Sequence, residues 1–156
     1  MFRKMRRFKQ ELSYEESFEI LSNEPRGVLA LIGDDEYPYA VPMNHILLDG
    51  KIYFHGAQEG HKHDAYLNHP KASYCVMDKG VKLNNQWWYT FKSIIAFGKI
   101  NIVEDREKKL EILTILGDKY FPTHEETEKE MKRLFDMAEV FELDIEHITG
   151  KLVREK

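Results

Sequence analysis

The sequence predicts a mainly β domain, an antiparallel barrel with flanking helices. Short apolar runs recur between tight turns, and an Asp49-Gly50 pair sits between two of them. Regular strand–helix alternation, which a doubly wound parallel sheet requires, is missing. At ~100–200 residues per domain, the 156 residues make one domain. A chain of that size buries roughly two-thirds of its unfolded surface without help from a metal or a disulfide. The expected organisation is a single domain over 1–156, opening with a basic arm over 1–12.

The elements follow in order. Ser13 and Glu16 form a capping box that opens a helix over about 14–23, with Phe18 and Leu21 inward and Pro25 beyond its end. Gly27 to Ile32 is a short apolar run and reads as a buried strand, closed by a turn at Gly33-Asp34-Asp35. Tyr37 to Leu48 reads as one strand, placed at an edge or bulged by Pro38 and Pro42. Asp49-Gly50 turns the chain into a partner strand over Lys51 to His55. Gly56 to Gly60 is a loop, 61–68 a short helix closed by Pro70, and Lys71 to Asp78 a strand. After a polar loop over Lys79 to Gln86, Trp88 to Val103 is a long β-rich stretch, broken or bulged near Lys92 or Gly98. A helix over about 105–118 carries Leu110, Leu113 and Leu116. A second capping box, Thr123 and Glu126, opens another helix to about 137, and Ala138 to Ile145 is the last strand.

Composition narrows the function classes. There are 23 basic and 27 acidic residues, a net charge of −4, which gives no general pull toward nucleic acid or anionic lipid. Cys75 is the single cysteine, so there is neither a disulfide framework nor a cysteine-only zinc site. Mean hydropathy is −0.55, and no apolar run reaches the ~20 residues that span a bilayer. The start, MFRKMRRFKQ, is basic but lacks an apolar signal core. The expectation is a cytoplasmic protein with neither nucleic acid nor membrane as partner.

The most informative segment runs from Phe54 to Lys62. It leaves a strand, passes Gly56 and Gly60, and enters a helix. The glycines allow close approach of a ligand, and the free amides near His61 can hold a phosphate. Lys62 puts a positive charge in the first helical turn, where the helix dipole favours anions. A bound phosphate accounts for that placement; an ordinary loop with an exposed lysine is the competing reading. Histidines cluster here: His55, His61, His63 and His69, with His45 nearby. His61 and His63 point apart on a helix, so no metal site is expected. His55 closes a strand and opens the candidate phosphate loop. It could work as an acid or base near neutral pH, or be a hydrogen-bonded histidine at the barrel end. Trp87, Trp88 and Tyr89 could cover a flat ring or belong to the core. No Walker, dinucleotide-binding, nucleophile-elbow or zinc-protease motif occurs.

Taken together, several segments resemble the FMN-binding split-barrel family related to pyridoxamine 5'-phosphate oxidase, in its nitroimidazole-resistance branch. They are Met5-Arg6-Arg7, Gly27-Val28-Leu29-Ala30, Pro38 to Asn44, Ile52 to Ala57, Gly60-His61-Lys62, Ser93 to Lys99 and Ile148 to Lys151. They span nearly the whole chain in the family's order.

The resemblance implies a six-stranded antiparallel split barrel that forms a homodimer, with FMN (FAD as the variant) at the interface. It implies that Pro42, Met43 and Asn44 run along the isoalloxazine ring and that His55, Gly56 and Ala57 lie near the ring and ribityl chain. The phosphate would fall to Lys62 beside His61, and Ser93 would touch the cofactor. Trp88 would close the site from the partner subunit. His55 would face a small-molecule substrate beside the flavin. The implied function is an FMN-dependent oxidoreductase acting on nitroaromatic or similar flat electrophiles. The alternatives are a flavin carrier or sensor, or a haem-binding split barrel. One departure is clear: the Arg-Leu-x-Pro type ending of pyridoxamine phosphate oxidases is replaced by Thr149 to Lys156, so oxidation of pyridoxamine itself is not expected.

Overall fold

A computed structural model describes residues 2–154. Met1 of the arm, and Glu155 and Lys156 of the departing C-terminal segment, lie outside the described residues. The strands are β1 (Arg26–Ile32), β2 (Pro38–Asn44), β3 (Ile46–Leu48), β4 (Lys51–Ala57), β5 (Lys71–Met77), β6 (Phe91–Ile102) and β7 (Ala138–Val153). The helices are α1 (Tyr14–Asn23), α2 (His61–Asn68), α3 (Arg106–Tyr120) and α4 (His124–Leu134). All strand pairs are antiparallel, in the order β2-β1-β5-β6-β7-β4-β3, and the sheet curls into a half-barrel. Among the described residues no helix is long and apolar enough to cross a membrane.

Local chemistry starts and stops the elements. Ser13 Oγ accepts the Glu16 amide at 3.1 Å, and the Glu16 carboxylate accepts the Ser13 amide at 2.9 Å, a complete capping box. Thr123 caps α4 through Oγ1, and Asp105 caps α3 by accepting the Lys108 amide at 2.7 Å. Asp49 and Gly50 both have positive φ, 50° and 76°, as a two-residue hairpin turn requires.

The sheet has seven strands rather than six. The strand expected over Tyr37 to Leu48 is interrupted at His45, which separates β2 at one edge of the sheet from β3 at the other. His45 is fully buried, and each of its polar atoms is engaged. Its amide donates to Tyr120 Oη at 3.0 Å, and its carbonyl accepts from Lys119 Nζ at 3.0 Å. Nε2 lies 2.6 Å from the Leu21 carbonyl, so it carries the ring proton, and Nδ1 lies 2.8 Å from Tyr74 Oη. These bonds draw the backbone out of ladder geometry and turn it from one edge to the other.

Further boundaries move: β4 runs on through Gly56 to Ala57, where the sequence predicts a loop, and α4 stops at Leu134 rather than about 137. β6 begins at Phe91 rather than Trp88. β7 runs eight residues beyond Ile145 because its inward–outward alternation changes parity. Phe97 pairs with His147 while Gly98 pairs with Ile145, which leaves Glu146 as the extra residue of a bulge. Gly98 is required opposite this bulge, where a Cβ would overlap the Asp144 carbonyl oxygen.

Two cores result. Leu21, Leu29, Phe54, Tyr74, Val76, Ile94 and Phe141 fill the inside of the curl. Ile112, Leu113 and Leu116 of α3 pack on the outer face against Ile46, Tyr53 and Val140. The rest of that outer face carries no helix, and Phe2 of the arm lies over part of it, against Phe97 and His147. One row across it reads Pro42, Val28, Cys75, Ile95, Thr149, and the next reads Ala40, Ala30, Ser73, Phe97, His147. The arm lies along the far end of β7. The Leu12 amide donates to the Gly150 carbonyl at 3.0 Å, Gln10 Nε2 donates to the Arg154 carbonyl at 3.0 Å, and the Phe2 ring stacks on His147.

Burial lowers the pKa of His45 from 6.5 to about 4, against the opposing pull of its bond to Leu21. The unfolded chain therefore takes up this proton before the folded one does. Stability is full above pH 6.5 and falls as the pH drops toward 4, by on the order of 3 kcal/mol from this group. Urea midpoints measured between pH 7 and 4.5 should show this loss. His45→Gln should start lower and show a shallower acid slope; equal slopes would rule out His45 as the source.

Candidate functional site

The site forms where β2 and β4 approach each other across the open side of the curl. Alternation along β2 turns Met43 inward and Pro42 and Asn44 outward; alternation along β4 turns Gly56 inward and His55 outward. Gly60 stands just before α2, with a φ of 103° that suits glycine, and this entry sends Lys62 back toward the gap. Lys62 Nζ lies 3.7 Å from Met43 Sδ and 5.5 Å from the centre of the Phe141 ring. Gly56 makes the room: a Cβ there would stand 2.7 Å from Nζ.

The Lys62 ammonium is half-buried among weak partners. Among the described residues it forms no ion pair within 4 Å. Burial holds its pKa below the usual lysine range, while Glu139 pulls the other way. A desolvated cation that lacks a near counter-charge is unfavourable unless an anion joins it.

Glu139 is itself buried and engaged elsewhere. It accepts from Tyr66 Oη and lies 2.9 Å from His63 Nδ1. Burial, and then Glu139, pushes the Tyr66 pKa up. Local sequence spacing does not point to this Tyr66–Glu139–His63 network. His63 and Tyr66 are three residues apart on one helix and so share a face, but Glu139 joins them only through strand pairing, which local spacing does not carry.

His55 and Asn44 line a cleft of about 290 Å³ between the sheet and the α3–α4 pair, walled by Leu113, Leu116, Met131 and Phe135 among others. Solvent reaches His55, yet the surrounding walls, and then the Lys62 cation, hold its pKa below the ordinary histidine value. At neutral pH its imidazole is mainly neutral, able to donate at one nitrogen and accept at the other.

Within one chain the structure thus brings Met43, Gly56 and Lys62 together, with Asn44 and His55 on the adjoining cleft. Pro42 and Ala57 flank this group and are exposed. His61 turns away, stacking on Tyr39 with ring centres 4.0 Å apart and accepting the Asp34 amide at 3.4 Å. Trp88 meets Trp87 edge-on in the segment before β6. Ser93 lies on the helix-free outer face between Met77 and Lys151. The other histidines of the cluster are likewise dispersed, His45 into the core and His63 onto Glu139.

Comparison with known proteins agrees with this architecture. A family model described as pyridoxamine 5'-phosphate oxidase matches residues 13–152. No curated protein matches in sequence. Among solved structures, a candidate 5-nitroimidazole antibiotic resistance protein from Bacteroides thetaiotaomicron superposes with a TM-score of 0.74 at 20% identity, covering 90% of this chain and 85% of its own. A conserved hypothetical protein from Mycobacterium tuberculosis gives 0.81 at 18% identity, covering 98% and 96%. An FAD and haem binding protein from Mycobacterium smegmatis gives 0.75 at 19% identity, covering 94% of this chain and 74% of its own. At these identities the likeness to the solved structures is one of fold. With the family model spanning all but the arm and the last four residues, the chain belongs to the pyridoxamine 5'-phosphate oxidase family.

Proposed function

We propose that the protein is an FMN-dependent reductase of nitroaromatic or similar flat electrophiles, working as a homodimer. The observation that carries the flavin assignment is the half-buried Lys62 ammonium, which lacks a near counter-charge at the gap that Gly56 keeps open. A phosphate monoester supplies that charge, and an ammonium-to-phosphate bond is of the strong, charge-assisted kind. Pro42 to Asn44 would run beside the ring by their backbone, and His55 to Ala57 would lie near the ring and ribityl chain. The names of similar structures support this reading, one by its FAD, another by 5-nitroimidazole resistance.

A bound flavin would supply the redox chemistry, electron transfer from a donor to an acceptor. The chain's own residues bind and orient. Lys62 anchors the phosphate end, the apolar cleft wall excludes water, and His55 holds a proton at a ring nitrogen beside the acceptor. Dimerisation is supported by the helix-free part of the outer face. Met77, Ile95 and Phe97 are 54%, 40% and 36% exposed there, in an expanse of β1, β5 and β6 that carries no helix. Solvent-facing apolar expanses of that kind mark interfaces. Ser93 lies on this face, so a partner subunit could bring it, with Trp88, to the flavin.

Purified protein should show the visible flavin absorbance or acquire it when FMN is added. A protein that stays colourless under both conditions refutes the assignment. Lys62→Gln should weaken FMN binding roughly tenfold to hundredfold, matching the ~1.5–3 kcal/mol of a charged hydrogen bond, as read by fluorescence titration. A flavin-loaded monomer in sedimentation would contradict the interface site.

The His55 role has its own pH signature. Because its pKa lies below the ordinary value, the protonated fraction grows as pH falls through and below 6.5. Turnover with a nitroaromatic acceptor should therefore rise toward acid pH, and His55→Ala should remove that rise while keeping the flavin. An unchanged pH profile in the variant would show that His55 does not supply the proton.

A further inference from the structure

We infer that the basic arm and the end of β7 form a second anion site, separate from Lys62, that takes the diphosphate of a nucleotide. Arg6, Arg7, Lys9 and Arg154 converge with Phe8 and Gln10 on a hollow of about 340 Å³. No acidic side chain lines it among the described residues, and none of its four cations enters an ion pair there. The convergence is built into the fold. The Leu12–Gly150 bond, the Glu11–Lys151 bridge and the Gln10–Arg154 bond hold the arm against β7. Four like charges held around one hollow repel one another until an anion enters. Three of the four are arginines, whose planar forks match phosphate oxygens two at a time.

The hollow's shape and its aromatic edge select the ligand class. Phe8 is 67% exposed on a short 3-10 turn at the rim, a bare ring face beside the cations. A flat base on Phe8 with two phosphates among the arginines uses both features; inorganic phosphate uses one. A few hundred cubic ångströms suit one nucleotide rather than a strand of nucleic acid. The arm lies outside the span that matches the family model, and the inference does not depend on the flavin reading.

The test is calorimetric titration of the full-length protein with ADP, adenosine, inorganic pyrophosphate and a ten-nucleotide single strand. ADP should bind at least tenfold more tightly than adenosine and weaken steeply with added salt. The double variant Arg6→Gln/Arg7→Gln and the single variant Arg154→Gln should each weaken ADP at least tenfold. Phe8→Ala should weaken ADP severalfold while sparing pyrophosphate. Lys62→Gln should leave ADP binding unchanged, which separates this site from the proposed flavin phosphate site. Three results would overturn the inference: arm variants that bind ADP as the wild type does, loss of ADP binding in Lys62→Gln alone, or binding of the oligonucleotide without binding of ADP. Two sources of the same chemistry are then distinguished. If Arg154→Gln weakens FAD but not FMN, the hollow takes the adenylate half of the flavin. If it weakens a nicotinamide dinucleotide and leaves FAD alone, the hollow receives a diffusible reductant.

Discussion

The structure depends on how one buried residue is satisfied. His45 is the single link between the two edges of a seven-stranded sheet, and burial removes all four of its polar atoms from water. Each must therefore find a partner, and the partners come from α1, β5 and α3. Meeting those demands goes with the curl of the sheet, which brings α1, β5 and α3 around the turn between its two edge strands. Without those partners His45 would be an unsatisfied polar residue in an apolar core.

The same curl creates the site. It carries Met43 on β2 to within reach of Lys62, beside Gly56 on β4, although β2 and β4 share no ladder bonds. The cation is thereby desolvated by residues that cannot neutralise it. The curl also divides the outer face in two. α3 packs over the half near β3 and β4, while the half over β1, β5 and β6 carries no helix and keeps apolar side chains exposed. His55 and Asn44 stand on the cleft where the covered half begins.

Much of this was legible in the sequence because it is governed locally. Ser13 and Glu16, Asp49-Gly50 and Pro70 mark boundaries through bonds and dihedral preferences that need only a few neighbouring residues, and the elements they bound fall where expected. The strand count missed by one because His45 reads as an ordinary residue in a β-type run; its role exists only once Tyr74, Leu21 and Tyr120 have converged on it. The end of β7 was missed because a bulge breaks the period-two pattern that identifies a strand. At the site, Gly56 and Lys62 stood out through local chemistry, a glycine that allows close approach and a charge against the helix dipole, although Gly56 lies within β4 rather than in a loop. Glu139 did not, because the β4–β7 pairing that brings it near is long-range.

The extra residue at Glu146 resets the side-chain frame partway along β7. Before it, Glu139, Phe141 and Leu143 face the barrel interior; after it, Ile148, Gly150 and Leu152 take over that role on the opposite parity. A strand normally propagates its frame along its whole length, so a slip at one end inverts the other. Here the frame is not inherited across the bulge. The half that supports the helices and Lys62 and the half that supports the arm are two separately phased segments of one backbone. Each could drift in register over evolution without turning the other inside out.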